Sequence, residues 1–108
     1  MTKLRQREPR QVDKAFLAFV REKACCVCGH HPPNQAAHIR MADFGRGKRH
    51  TGMGEKSSDR WCVPLCAGCH LDNRVSVHKM GEQRFWWEVG LDPFVIAIEL
   101  YAEFGSVD

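Results

Sequence analysis

The spacing of apolar positions changes several times along the chain, and each change predicts an element. Between Val12 and Ala24, residues Ala15, Phe16, Phe19 and Val20 recur at three and four, which predicts an amphipathic helix. Asp13 stands where an N-cap or first-turn acid belongs, and Lys23 suits the last turn. CCVCGHHPPNQ, residues 25–35, ends that pattern, with Gly29, Pro32 and Pro33 predicting a tight turn and then extended chain. AAHI, residues 36–39, predicts a short strand. Trp61, Val63 and Leu65 alternate and predict a second one. A helix is expected from about Ala67, carrying Cys69 and His70 in its first turn. GEQRFWWEVG, residues 81–90, predicts a short helix anchored by Phe85 and Trp86 and stopped by Gly90. In the following LDPFVIAIELYAEFG, Asp92 caps a last helix, Pro93 takes its first position and Gly105 ends it. Phe94, Ile98, Tyr101 and Ala102, with Val95 beside them, are its expected core side.

A chain of 108 residues has room for one small domain. The organisation expected is a basic arm over 1–11 and a single α+β domain over 12–108. A core this small usually needs a staple, either disulfides or a metal. The first residues, MTKLRQREPRQ, lack the apolar run of a secretory signal, and no stretch is long enough to span a membrane. The expectation is therefore a cytoplasmic protein with no membrane partner, whose six cysteines stay reduced and favour metal over disulfides.

Charge alters this picture through its distribution. Residues 1–79 hold fifteen Lys and Arg against seven Asp and Glu, whereas residues 80–108 hold Arg84 against six acids. A net of +8 on the body and −5 on the tail suggests a polyanionic partner for the body. Between the two strands, residues 40–59 contain four glycines and five Lys or Arg, which predicts a long basic loop. GMGEKSS within it does not fit the spacing of a phosphate-binding P-loop.

Cys25-x2-Cys28 and Cys66-x2-Cys69, separated by 37 residues, have the spacing of a four-thiolate zinc site. The first pair falls on a turn and the second on an expected helix start, where backbone N–H groups favour thiolates. A turn and a helix N-terminus around one zinc is the treble-clef arrangement. Cys26 is the alternative to Cys25, and Cys62 is expected in the core. Zinc leaves His38, His70 and His78 unassigned, and a strand–loop–strand–helix unit would bring them to one face. Phosphodiester hydrolysis needs a base for water and a divalent metal, and imidazole suits both roles.

Taken in order, Cys-x2-Cys-Gly, AAHIR and SSDRWCVPLCAGCH resemble the HNH nucleases of the ββα-metal type. Phage and prophage members are the nearest in pattern, among them the RecA-dependent Ref nucleases. HKMGEQRFWWEVGLDP is similar to the tail of such members, so the resemblance spans roughly residues 24–104. It implies a metal-dependent DNA endonuclease with little sequence preference. His38 would be the general base, with Asp59, His70 and His78 as candidate ligands of a catalytic Mg²⁺, Mn²⁺ or Zn²⁺, and Asn73 in reserve. A recombinase such as RecA is an implied partner. Two positions depart from the pattern. Ala37 stands where most such enzymes have an Asp or His ligand, and Trp61 where the motif has Asn. Arg40, Arg46, Lys48, Arg49, Lys56, Arg60, Arg74 and Lys79 flank these groups as candidate phosphate contacts. Two competing expectations are a zinc-dependent DNA-binding or adaptor module without catalysis, and a structural zinc protein whose partner is anchored by Trp86 or Trp87.

Overall fold

The computed structural model describes residues 12–46, 48 and 58–106. The basic arm, Arg49, Lys56 and nearly all of GMGEKSS lie outside the described residues. Helix α1, Lys14–Arg21, starts where Asp13 Oδ1 accepts the N–H of Phe16 at 3.0 Å. It buries Phe16 and Val20 and half-buries Leu17 and Phe19, while Ala15, expected on the core face, is exposed. Asn34 ties the end of α1 to the next turn, donating from Nδ2 to the carbonyls of Lys23 and His30 at 2.8 and 3.0 Å.

Strands β1, Gln35–His38, and β2, Cys62–Leu65, form a two-stranded antiparallel sheet. The register pairs Gln35 with Leu65, Ala37 with Val63 and His38 with Cys62. All four residues of β2 are buried, because the sheet is covered on both faces. Trp61, Val63 and Leu65 point into one apolar cluster with Phe85, Trp86, Phe94 and Ala97, as their alternation predicts. Cys62 faces a second cluster with Phe16 and Val20, closed by edge-on contacts of Phe16 with Tyr101 and Phe104 at 5.0 and 5.4 Å. Burying an aromatic side chain as completely as Phe85 is worth up to about 3 kcal/mol, which makes these rings the main apolar support of so short a sheet.

The helix expected from Ala67 is much shorter. Gly68–Asp72 forms a single π-helical turn, closed by Asn73 N donating to Gly68 O at 2.9 Å. The chain then breaks until Ser76, whose hydroxyl accepts the N–H of Lys79 and starts helix α2, Val77–Met80. Helix α3, Glu82–Val89, buries Phe85 and Trp86 and stops at Gly90, which adopts φ 74° in the left-handed region that favours glycine. Helix α4, Pro93–Gly105, begins with Asp92 Oδ1 accepting from Phe94 N at 2.9 Å. It buries Phe94 and Ala97, leaving Val95 and Ile98 more than a third exposed and Ala102 exposed. The expected core side is thus rotated, because α4 is apolar almost all round and its period does not select a face. Among the described residues no helix is long and apolar enough to cross a membrane.

Candidate metal and histidine sites

Two turns bring the cysteines together. Cys25 N donates to His30 O and Gly29 N to Cys25 O, both at 2.9 Å, which folds the first Cys-x-x-Cys onto itself. Gly29 takes φ 78°, a conformation that side chains resist. Cys26 N then donates to Pro64 O at 3.0 Å and fixes this turn against β2. The second pair straddles the end of β2 and the π-helical turn, where Cys69 N donates to Cys66 Sγ at 3.4 Å and His70 N to Cys66 O at 2.9 Å.

The sulfurs of Cys25, Cys28, Cys66 and Cys69 all lie within 4.8 Å of one another, and Cys28 and Cys66 are 3.6 Å apart. Four sulfurs at about 2.3 Å around one zinc stand about 3.8 Å apart, so the cluster already has the dimensions of a tetrahedral site. Its chemistry fits as well. Burial pushes the Cys25 thiol up, but N–H donors from Cys28, Cys66 and Val27 outweigh it and bring it down to about 7. Cys69 is raised, first by burial and then by the neighbouring sulfurs. Four crowded thiols oppose their own ionisation, and a divalent cation removes that opposition. The four cysteines could hold a structural metal such as zinc. Cys26, the alternative ligand, packs against the core, and burial first, then the Cys25 charge, pushes its thiol up to about 12.

The histidines are held one by one, each by its own partner. His38 ends β1, and its Nε2 is 2.9 Å from Asp59 Oδ1. Asp59 is 1% exposed, and its Oδ2 accepts the backbone N–H of Asp13, at the cap of α1, at 2.7 Å. A carboxylate only accepts, so in the neutral His38 ring Nε2 carries the proton and Nδ1 the lone pair. His70 sits one residue past Cys69 with Nδ1 2.6 Å from Gln35 Oε1, which leaves its Nε2 as the lone-pair nitrogen. Its pKa is lowered, first by burial and then by the charges of His78 and His38. His78 is exposed on α2, and among the described residues only the four cysteines bring three or more metal-competent side chains together; His38, Asp59, His70 and His78 form no second such cluster. Asn73 folds back instead, its amide lying where a Cβ on Gly68 would come within 2.8 Å of Nδ2. Ala37 and Trp61 are core residues, 5% and 7% exposed.

Gln35, which partners His70, and the Asp13 N–H, which partners Asp59, are contacts of the candidate site that sequence reasoning missed. Gln35 could have been found, since a polar residue on a short apolar strand, three before His38, asks for a partner. The Asp13 contact carries no sequence signal, because its donor is main chain.

The candidate phosphate contacts separate into different classes. Lys48 is 5% exposed and donates from Nζ to Met41 O at 2.6 Å, so it holds the loop together rather than reaching into solvent. Arg46 is paired with Asp43. Glu82, on α3, accepts the N–H of Arg40 at 2.8 Å and so pins the chain two residues past His38. Arg60 is exposed, with Cζ over the rings of Trp61 at 4.9 Å and Tyr101 at 5.4 Å. Of the two candidate anchor tryptophans, Trp86 is 5% exposed and Trp87 83%.

No curated protein and no solved structure matches the chain. One family model, described as a protein of unknown function (DUF968), matches residues 3–91, a span that takes in both cysteine pairs, His38, Asp59, His70 and His78. The match covers well over half of the chain, and the chain belongs to the DUF968 family.

Proposed function

We propose that this protein is a metal-dependent DNA endonuclease of the HNH type, built on a treble-clef zinc site and of phage or prophage descent. The observation that carries the reading is the pairing of His38 Nε2 with buried Asp59 at 2.9 Å, beside His70 on the turn that follows the last cysteine. The pairing sets up Nδ1 of His38 to take the proton of a water attacking phosphorus. Asp59 then orients the base, a role for which both its oxygens are already engaged, instead of ligating metal. His70 and His78 remain as candidate ligands. A bound Mg²⁺, Mn²⁺ or Zn²⁺ would supply charge stabilisation for the phosphate and the leaving oxygen. A reducing cytoplasm would keep the four thiols free for zinc.

The burial of Ala37 and Trp61 favours a second reading, a zinc-dependent DNA-binding module without catalysis. Where most HNH enzymes place an Asp or His ligand, and where the motif has Asn, this chain has packed apolar side chains. Nicking of supercoiled plasmid across a Mg²⁺ and Mn²⁺ titration separates the two. His38→Ala should lose roughly 10²- to 10⁴-fold in rate at every metal concentration. His70→Ala should recover part of its loss as metal rises. Equal nicking by wild type and His38→Ala removes His38 as base. A wild-type protein that binds DNA but nicks under no metal, with or without a RecA-type recombinase, is the binding module.

A further inference from the structure

The candidate phosphate contacts among the described residues differ in what their charges already do. Lys48 is buried on a carbonyl and Arg46 is paired with Asp43. Arg60 is different. Its contacts are with ring faces alone, and it makes no ion pair among the described residues. A guanidinium over aromatic rings is held by its face, while its N–H donors lie in its plane. The rings thus hold the group without pairing its charge with a carboxylate among the described residues.

Its place in the chain is equally specific. The residue before it, Asp59, carries the carboxylate 2.9 Å from His38 Nε2. The residue after it, Trp61, accepts on its carbonyl the N–H of Ile39 at 2.8 Å, one residue past His38. Trp61 is buried and wedged edge-on against Phe94 at 5.9 Å, and half-buried Tyr101 is braced edge-on against buried Phe16 at 5.0 Å.

We infer that Arg60, held by Trp61 and Tyr101, is a preorganised binding site for a backbone phosphate of the DNA strand presented to His38. The inference rests on the nuclease reading for its substrate class, and it gives helix α4, through Tyr101, a part in substrate binding. An arginine fixed in this way loses less side-chain freedom on binding than one on an open loop.

The test is binding, not cleavage. Zinc-loaded protein is titrated with fluorescent duplex DNA over a range of KCl without divalent metal, for wild type, Arg60→Gln, Arg60→Met and Arg84→Gln. Arg60→Met keeps an apolar stem on the rings and serves if Arg60→Gln unfolds. Loss of one phosphate contact should flatten the log–log salt dependence by about 0.9 and weaken binding about tenfold at moderate salt. Arg84→Gln removes the same charge from α3 and should change the slope by much less. A wild-type slope in both Arg60 variants overturns the inference and leaves the nuclease reading standing. An equal change in Arg84→Gln also overturns it, since net charge would then explain the effect. Absence of salt-dependent DNA binding by wild type removes both proposals, and tighter binding of duplex RNA assigns the wrong nucleic acid to both.

Discussion

The cysteine cluster and the three histidines meet at one turn, where His70 follows Cys69, yet they are held on opposite plans. The cysteine cluster is closed. Its four sulfurs are mutually within 4.8 Å, two of the residues are buried, and each pair is folded onto itself by backbone hydrogen bonds. The histidine group is open. Among the described residues, His38 and His70 each bind a side chain with one ring nitrogen and leave the other unpaired, His78 is exposed, and the three do not gather into a ligand cluster. A closed donor set suits a metal that holds a fold, whereas an open one suits a metal or substrate that exchanges. The difference is in what backs the ligands: main-chain donors behind the sulfurs, side-chain partners behind the imidazoles.

The largest effect should come from breaking the closed half. Cys69→Ser removes one thiolate from a site whose binding free energy is largely folding free energy, on the order of 10 kcal/mol. Bound zinc, measured by metal analysis, and the cooperative unfolding transition should be lost together. A zinc-free Cys69→Ser protein that still unfolds cooperatively would reduce the contrast to mere geometry.

A smaller effect is expected in the open half. Asp59→Asn keeps one acceptor where there were two, so with its oxygen on the Asp13 N–H the amide NH₂ faces His38 Nε2, which can accept from it only in the other tautomer. The stability cost should be about 1 kcal/mol, since charge-assisted hydrogen bonds become neutral ones. Zinc content should not change, and nicking should fall because the amide can force the proton onto Nδ1. Unchanged nicking together with unchanged stability would remove Asp59 from the site.

The smallest effect concerns the chain that leaves His38. The Glu82 carboxyl is raised above its ordinary 4.5, first by burial, against the N–H groups of Arg40 and Met41 that favour its ionised form. A raised folded pKa means that the native state holds the proton more firmly than the unfolded chain. Its contribution is therefore complete below 4.5 and is lost as pH climbs through the raised value. Relative to Glu82→Gln, wild type should lose stability as pH rises from 4.5 towards neutrality. The difference in Tm should stay within about 4 °C. The comparison cancels the pH dependence of zinc binding common to both proteins. A wild type that gains on the variant over that range would show a favourably ionised carboxylate.

How much of this was legible depends on the distance over which each feature is encoded. The sulfur cluster was legible because each pair is local and its spacing reflects the metal. Caps at Asp13 and Asp92 and the stop at Gly90 were legible for the same reason. The rotation of α4 was not, since Val95 and Ile98 are as apolar as Phe94 and only the packing partners select a face. The π-helical turn was misread as a longer helix because its end depends on Asn73 folding back over Gly68. Lys48 stands in the sequence as a candidate phosphate contact because its basic, glycine-rich loop gives no sign of burial. His38 could be picked out from AAHIR, but its partner lies 21 residues away across a loop, and only the fold joins them.

One contact bears on how such a site can change over generations. The Asp59 carboxylate is anchored by the main-chain N–H of position 13, a donor that every amino acid except proline possesses. Drift at that position can trade one capping side chain for another and weaken α1 by about 1 kcal/mol without deleting the anchor. Two properties that look joined at Asp13, starting a helix and steadying a carboxylate, are therefore inherited separately. The first is written in the identity of the residue, while the second persists through any substitution that leaves the backbone where it is.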